Sequence, residues 1–270
     1  MSAGANNDAG SVCCVCRAVP RDAFRHRILG RYDVRYLYCE SCGFLQTETP
    51  YWLEEAYADA IADRDTGLVR RNLQLADACT GLLWRLYRGE GRFLDAAGGL
   101  GLFTRLMRDI GFDYHWWDPH AKNELARGFD SSPQQGPFAA VSAFEVLEHL
   151  VDPVGFLRDL CRDTGCDTLI TSTELFRGEP PVPGDWWYYA FDTGQHISFY
   201  QPRTLQTIAE QLGMRLYSHR NIHIWTTRPL PHWLFRCSTR PSQAAFLARL
   251  ARRRLRSRTW SDSEGLSARP

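Results

Sequence analysis

An α/β domain built on a mostly parallel sheet follows from three features of these 270 residues. Apolar, β-like runs alternate with helical periodicity between residues 92 and 172, the pattern of strands joined by crossover helices. The stretch Phe93-Leu-Asp-Ala-Ala-Gly-Gly-Leu-Gly-Leu-Phe103 ends an apolar strand in an acid and a glycine-dense turn, and Phe103-Thr-Arg-Leu-Met-Arg-Asp-Ile110 continues as a covering helix. A hydrophobic content of 44% is enough to bury a full α/β core with a small accessory module attached.

In chain order, residues 1–10 read as disordered. Residues 11–49 hold Cys13-x-x-Cys16 and Cys39-x-x-Cys42 among short β-like runs such as Val34-Arg-Tyr-Leu-Tyr38. Residues 50–90 turn helical, with Leu68, Asn72, Leu75, Cys79 and Leu82 near one face, and make a linker or cover. The main domain, 91–228, is expected to place strands at 92–96, 114–117, 138–143 and 168–172. Its helices are expected after Gly101, near 120–127 and over 153–162, where Asp152-Pro153 supplies a cap and a proline at the first helical position. Pro202 opens a further helix that Gly213 closes, and two last strands at 215–219 and 222–227 are close enough in sequence to pair antiparallel. Residues 229–270 read as a basic amphipathic tail centred on Phe246-Leu-Ala-Arg-Leu-Ala-Arg-Arg-Arg-Leu-Arg256.

Charge and cysteine usage exclude several classes. Net charge is +1, so nothing global demands a polyanionic partner. No run is long enough to cross a bilayer and the N-terminus has no secretory pattern, so a cytoplasmic protein is expected. Two CxxC pairs favour metal over disulfides: Cys13, Cys16, Cys39 and Cys42 suit a structural zinc of the ribbon type with no open coordination position. Cys14 is then a spare thiol, and Cys79, Cys161, Cys166 and Cys237 read as packing residues.

The glycine turn lets the backbone approach a nucleotide-like ligand, because glycine tolerates positive φ and close contact. Asp95 ends the first strand and Asp118 the second, where an open α/β sheet has its ligand crevice; an acid at the second position accepts hydrogen bonds from ribose hydroxyls. A dinucleotide reading lacks the third glycine of Gly-x-Gly-x-x-Gly. Leu94-Asp-Ala-Ala-Gly-Gly-Leu-Gly101, Trp117-Asp-Pro119 and Phe138-Ala-Ala-Val-Ser-Ala-Phe-Glu-Val-Leu-Glu-His-Leu-Val-Asp-Pro153, in that order, resemble the class I S-adenosylmethionine-dependent methyltransferases. The resemblance covers roughly residues 90 to 228 and implies a Rossmann-like, seven-stranded sheet. It implies cofactor contacts from Asp95, Ala97, Gly98, Gly99, Gly101, Asp118, Pro119 and Phe144, with Ala97 standing where the family has its first glycine.

Glu145, Glu148 and His149 are spaced i, i+3, i+4, so a helical turn there sets all three on one face. With His196 in Thr193-Gly-Gln-His196 they resemble the Glu-x-x-Glu-His and Gly-x-His segments of some small-molecule and RNA-end O-methyltransferases, which implies a second divalent metal at Glu145, Glu148, His149 and His196. Three readings stand open: a metal that acidifies a substrate hydroxyl, a metal-free base at His149 or His196, and structural ties between loops. A cysteine ribbon before such a domain also resembles sugar C-methyltransferases, which implies Tyr57, after Glu54-Glu-Ala, and His196 as acid or base. Pro180-Pro-Val-Pro-Gly-Asp-Trp-Trp-Tyr-Tyr189 offers aromatics either to a substrate or to the sheet's edge.

The expected activity is methylation of a small molecule, a sugar or other hydroxylated metabolite. Two alternatives remain: an RNA methyltransferase gripping its substrate with ribbon and tail, and a binding protein without turnover, which Ala97 permits. The tail reads as a docking helix with a solvated basic face, or as a weak contact for RNA or anionic lipid. Oligomeric state is not legible.

Overall fold

The computed structural model describes residues 12–57 and 66–268, so the disorder expected for 1–10, and the part of the helical cover at 58–65, lie outside the described residues. The first elements are β1 (Arg21–Ile28), β2 (Tyr32–Tyr38), β3 (Leu45–Thr47), α1 (Leu53–Ala56) and α2 (Leu68–Tyr87). There follow β4 (Arg92–Ala96), α3 (Leu102–Ile110), β5 (Asp113–Trp117), β6 (Ala140–Ala143), α4 (Pro153–Thr164) and β7 (Thr168–Ser172). The last are β8 (Ser198–Phe199), α5 (Pro202–Leu212), β9 (Arg215–His219), β10 (Ile222–Thr226), α6 (His232–Ser238), α7 (Pro241–Arg252) and α8 (Thr259–Ser267). No helix among the described residues is long and apolar enough to cross a membrane.

The chain parts into two compact units. One comprises Met1–Ala60, Leu147–Phe156 and Thr173–Leu212; the other comprises Ile61–Val146, Leu157–Ser172 and Gly213–Pro270. The first is built on an antiparallel sheet in the order β1-β2-β3-β8. Leu29 and Gly30 both have positive φ and Arg31 N–H closes on Ile28 C=O at 3.0 Å, which is the primed turn that matches strand twist in a hairpin. Its core gathers Val34, Tyr36, Leu45, Trp52, Tyr189 and Phe199. The ribbon is therefore not confined to residues 11–49: β8, some 150 residues downstream, covers the free edge of β3 through Leu45↔Phe199 and Gln46↔Ser198.

The second unit holds a six-stranded sheet in the order β5-β4-β6-β7-β10-β9, parallel from β5 to β7, with β10 antiparallel to both neighbours. This is the expected α/β architecture on a mostly parallel sheet, with six strands, not the expected seven, among the described residues. Beyond β5 the chain makes only an isolated bridge, Trp116↔Asp130. The helix expected at 120–127 is also absent. Side chains take the backbone groups such a helix needs: Asp118 Oδ1 accepts from the N–H of His120 at 2.8 Å and of Ala121 at 2.9 Å. Asn123 bonds both the N–H and the C=O of Ala126 at 2.9 Å.

Around the sheet, Leu75, Cys79 and Leu82 of α2 pack with Phe93, Phe103, Met107 and Tyr114 in one core. Phe93 stacks on Tyr114 at 5.4 Å between ring centroids. The segment expected as a basic tail forms three helices. Ala244, Ala248 and Ala251 are the buried side of α7, and a Cβ on Gly81 of α2 would lie 3.3 Å from Leu247 Cβ, so small residues allow these two helices to approach closely. In α8, Asp262 takes two parallel bonds at 2.7 and 2.8 Å from the buried guanidinium of Arg108, while Phe129 stacks on that guanidinium at 3.6 Å.

Candidate functional site

Two groups of residues have the chemistry of a site, one in each unit. In the second unit Asp95, the last residue but one of β4, is buried just before the turn. Thr104 Oγ1 and Ser142 Oγ each donate to its carboxylate at 3.0 Å. Burial pushes its pKa up to about 7 against those two hydrogen bonds. Ala97 stands at φ +58, Gly99 at +52 and Gly101 at +84, so the alanine adopts the left-handed conformation that glycine takes more cheaply, at a cost of roughly 1–2 kcal/mol. A Cβ on Gly98 would meet the Trp116 ring at 2.6 Å and one on Gly101 would meet Asn123 Oδ1 at 2.6 Å, whereas Gly99 faces open space.

Asp118, half-buried at the end of the second strand, fastens this turn. Its Oδ2 accepts Gly99 N–H at 2.9 Å, while Oδ1 holds the turn at His120 and Ala121. A carboxylate has about four acceptor sites, so Asp118 keeps capacity for a hydroxyl donor. Pro119 beside it is exposed, and Phe144 packs edge-on against Phe103 at 4.9 Å. An open glycine backbone next to an acid at the second strand end fits a nucleoside-bearing ligand such as S-adenosylmethionine. Thr104 and Ser142 escaped the sequence reading, although a serine inside the buried run Ala-Val-Ser-Ala was a signal that something polar waits opposite it.

In the first unit, ligand atoms of Glu148, His149 and His196 all lie within 4.8 Å of one another. Glu148 is 1% exposed, and neither of its oxygens has a hydrogen-bond partner. Burial raises its pKa, opposed by the electrostatic pull of the neighbouring His149 ring and of the Tyr188 and Thr173 hydroxyls, which lie near it without hydrogen-bond geometry. His149 Nδ1 lies 3.0 Å from both the Gln195 carbonyl oxygen and the Tyr57 hydroxyl. A carbonyl only accepts, so Nδ1 carries the proton and Nε2 is left with its lone pair. His196 Nδ1 likewise donates to Tyr188 C=O at 2.6 Å, and burial, reinforced by His149, holds its pKa down to about 3. Burial keeps Tyr57 up at about 12, so its hydroxyl stays protonated.

Glu145 is not part of this cluster. It sits at φ +53 and helical geometry is confined to Leu147–His149, so the shared face implied by the i, i+3, i+4 spacing is not formed. Its carboxylate instead accepts from Ser172 Oγ at 2.5 Å and lies 4.0 Å from Arg71. The aromatic insertion divides: Tyr188 and Tyr189 are buried, Tyr188 meeting Thr173 Oγ1 at 3.0 Å, while Trp187 is 77% exposed.

The cysteines form a third, structural group. Cys13 and Cys42 sulfurs are 3.6 Å apart and Cys16 and Cys39 sulfurs 3.4 Å. A tetrahedron of Zn–S bonds near 2.3 Å needs sulfurs about 3.8 Å apart, so the four fit that ion. Both knuckles turn alike: Arg17 and Gly43 follow the second cysteine at φ +65 and +74, and each returns its N–H to the first cysteine's carbonyl, at 2.9 and 2.7 Å. The Cys42 thiol hydrogen-bonds Cys13 and brings that pKa down to about 5, while the same bond and burial push Cys42 up, so the pair shares one proton and Cys13 is the thiolate.

A family model described as a methyltransferase domain matches residues 69–219, more than half of the chain. No curated protein sequence matches. Among solved structures, magnesium protoporphyrin IX methyltransferase from Synechocystis, with bound SAH, is 16% identical, covering 64% of this chain and 90% of that one at a TM-score of 0.43. TnmH is 16% identical over 66% of this chain and 62% of its own, with a TM-score of 0.48. A SAM-dependent methyltransferase from Thermotoga maritima is 13% identical over 66% and 100%, with a TM-score of 0.44.

Proposed function

The chain belongs to the methyltransferase-domain family, and from that premise we propose that it transfers a methyl group from S-adenosylmethionine to a hydroxylated small molecule of sugar-like character. The observation that carries the acceptor side is the buried, unpartnered carboxylate of Glu148 among two imidazoles whose Nδ1 protons are committed to backbone carbonyls. When bound, S-adenosylmethionine supplies a methyl on a sulfonium, and the departing thioether needs no acid.

The donor would be held by the Asp95–Gly101 turn and by Asp118. On the acceptor side, His149 Nε2 takes the hydroxyl proton, because Gln195 fixes the other nitrogen as a donor. The imidazolium so formed is stabilised by Glu148, a charge otherwise without compensation. His196 is too weakly basic to share that role; its Nε2 accepts a hydrogen bond and orients the hydroxyl. Tyr57 donates to the acceptor oxygen, and Trp187 offers a ring face of the kind that stacks on a sugar.

A second reading has its own support: two Nε2 lone pairs and one carboxylate within 4.8 Å make a donor set for a divalent cation. Assays with chelator and then with Mg²⁺, Mn²⁺ or Zn²⁺ separate the two, since activity regained with Mg²⁺ or Mn²⁺ marks the metal-assisted site whereas activity regained with Zn²⁺ alone marks the cysteine group. At the ribbon, the purified protein should carry one zinc per chain, absent from the Cys39→Ala variant by elemental analysis. The deciding experiment incubates the protein with methyl-labelled donor and separate metabolite and RNA pools. Label in the metabolite pool, lost in His149→Ala, supports the proposal; label confined to RNA sinks it.

A further inference from the structure

Between residues 229 and 261 the chain has eight arginines and no acidic residue, although the whole chain is only +1. The remainder is therefore net negative, and positive charge is gathered on α6, α7 and the turn that follows. Two of these arginines are spent within the fold, Arg252 on Asp77 at 2.9 Å and Arg258 on Asp113 at 3.5 Å. Arg236, Arg240 and Arg249 are exposed with no ion pair among the described residues.

Apolar side chains stand among them. On α7 the buried side is Ala244, Ala248 and Ala251; Phe246 and Leu250, one turn apart, lie on the opposite face, 62% and 43% exposed. On α6, Leu234, Phe235 and Ser238 are buried, whereas Trp233 is 67% exposed on the side of Arg236. α7 thus has two apolar sides, one packed in its own unit and one turned to solvent beside Arg249, and α6 adds the exposed Trp233 beside Arg236.

We propose that this α6–α7 face docks on an anionic lipid surface. Arginine meets lipid phosphates, while Phe246, Leu250 and Trp233 enter the boundary between headgroups and acyl chains. Nucleic acid satisfies the charge but not Leu250, which has no ring on which a base stacks. The proposal is independent of the methyl acceptor, because neither helix contains a residue assigned to catalysis or donor binding.

The test is co-sedimentation of the full chain with vesicles of phosphatidylcholine alone or with about 30% phosphatidylglycerol, at low and high salt. Binding to the anionic vesicles should be at least about ten-fold tighter than to the neutral ones and should weaken with salt. Phe246→Ser/Leu250→Ser and Arg249→Glu/Arg236→Glu should each reduce it about ten-fold, with melting temperature and donor binding unchanged. Equal partition to both vesicles, undiminished binding by both folded variants, or binding to single-stranded RNA without binding to vesicles overturns the proposal.

Discussion

Asp95 and Glu148 are both buried carboxylates, 2% and 1% exposed, yet their surroundings differ in kind. Asp95 receives two side-chain hydroxyls at 3.0 Å and closes the turn that follows β4. Glu148 receives no hydrogen bond of good geometry and faces two imidazoles. A buried charge without partners is costly unless something later compensates it. The contrast separates a carboxylate whose oxygens are already hydrogen-bonded within the fold from one whose oxygens are not.

The largest expected effect tests that separation directly. Glu148→Gln should lower turnover by about 10²-fold to 10⁴-fold, the range of general acid–base contributions, while donor affinity in calorimetry stays constant. Unaltered turnover would place Glu148 with Asp95 as a purely structural group. Next in size, Asp118→Ala removes the acceptor of Gly99 N–H and of a ribose hydroxyl, and donor affinity should fall roughly 10-fold to 150-fold, with no change in the pH profile of whatever activity remains.

The pH dependence of stability tests the Asp95 side of the comparison, through the Asp95→Asn variant. Asp95 has a folded pKa near 7 against 3.8 unfolded, so the folded state binds its proton more tightly. Its contribution is complete below pH 4 and is lost as pH rises toward 7, at up to about 1.4 kcal/mol per pH unit. Urea midpoints across that window should decline in the wild type and decline less in Asp95→Asn. The smallest effect belongs to Thr104→Ala, which removes one of the two bonds to Asp95: about 1 kcal/mol of stability, and a decline that extends above pH 7.

Much of the second unit was legible. The strands at Arg92–Ala96, Thr168–Ser172 and Arg215–His219 fall where the sequence reading put them, and Gly213 follows the helix it was expected to close. These elements are governed by local periodicity and by caps. The failure at 120–127 has an equally local cause that periodicity does not register, namely the preference of Asp118 and Asn123 for nearby backbone. Glu145 shows the other limit: its spacing to Glu148 suits a helix, but its left-handed φ breaks the turn.

Sequence alone determined that a glycine turn follows an acid-ended strand, that two CxxC pairs occur before it, and that arginine crowds the C-terminal segment. Each of these is a short-range pattern of residue type. Only the tertiary structure decided that Glu148 is left without a partner, that Gln195 and Tyr188 carbonyls set the protons of two histidines, and that Phe246 and Leu250 face solvent. Burial and hydrogen-bond satisfaction depend on which distant segments meet, and residues 46 or 92 positions apart, such as His149 with Gln195 and Tyr57, have no local signal to announce the meeting.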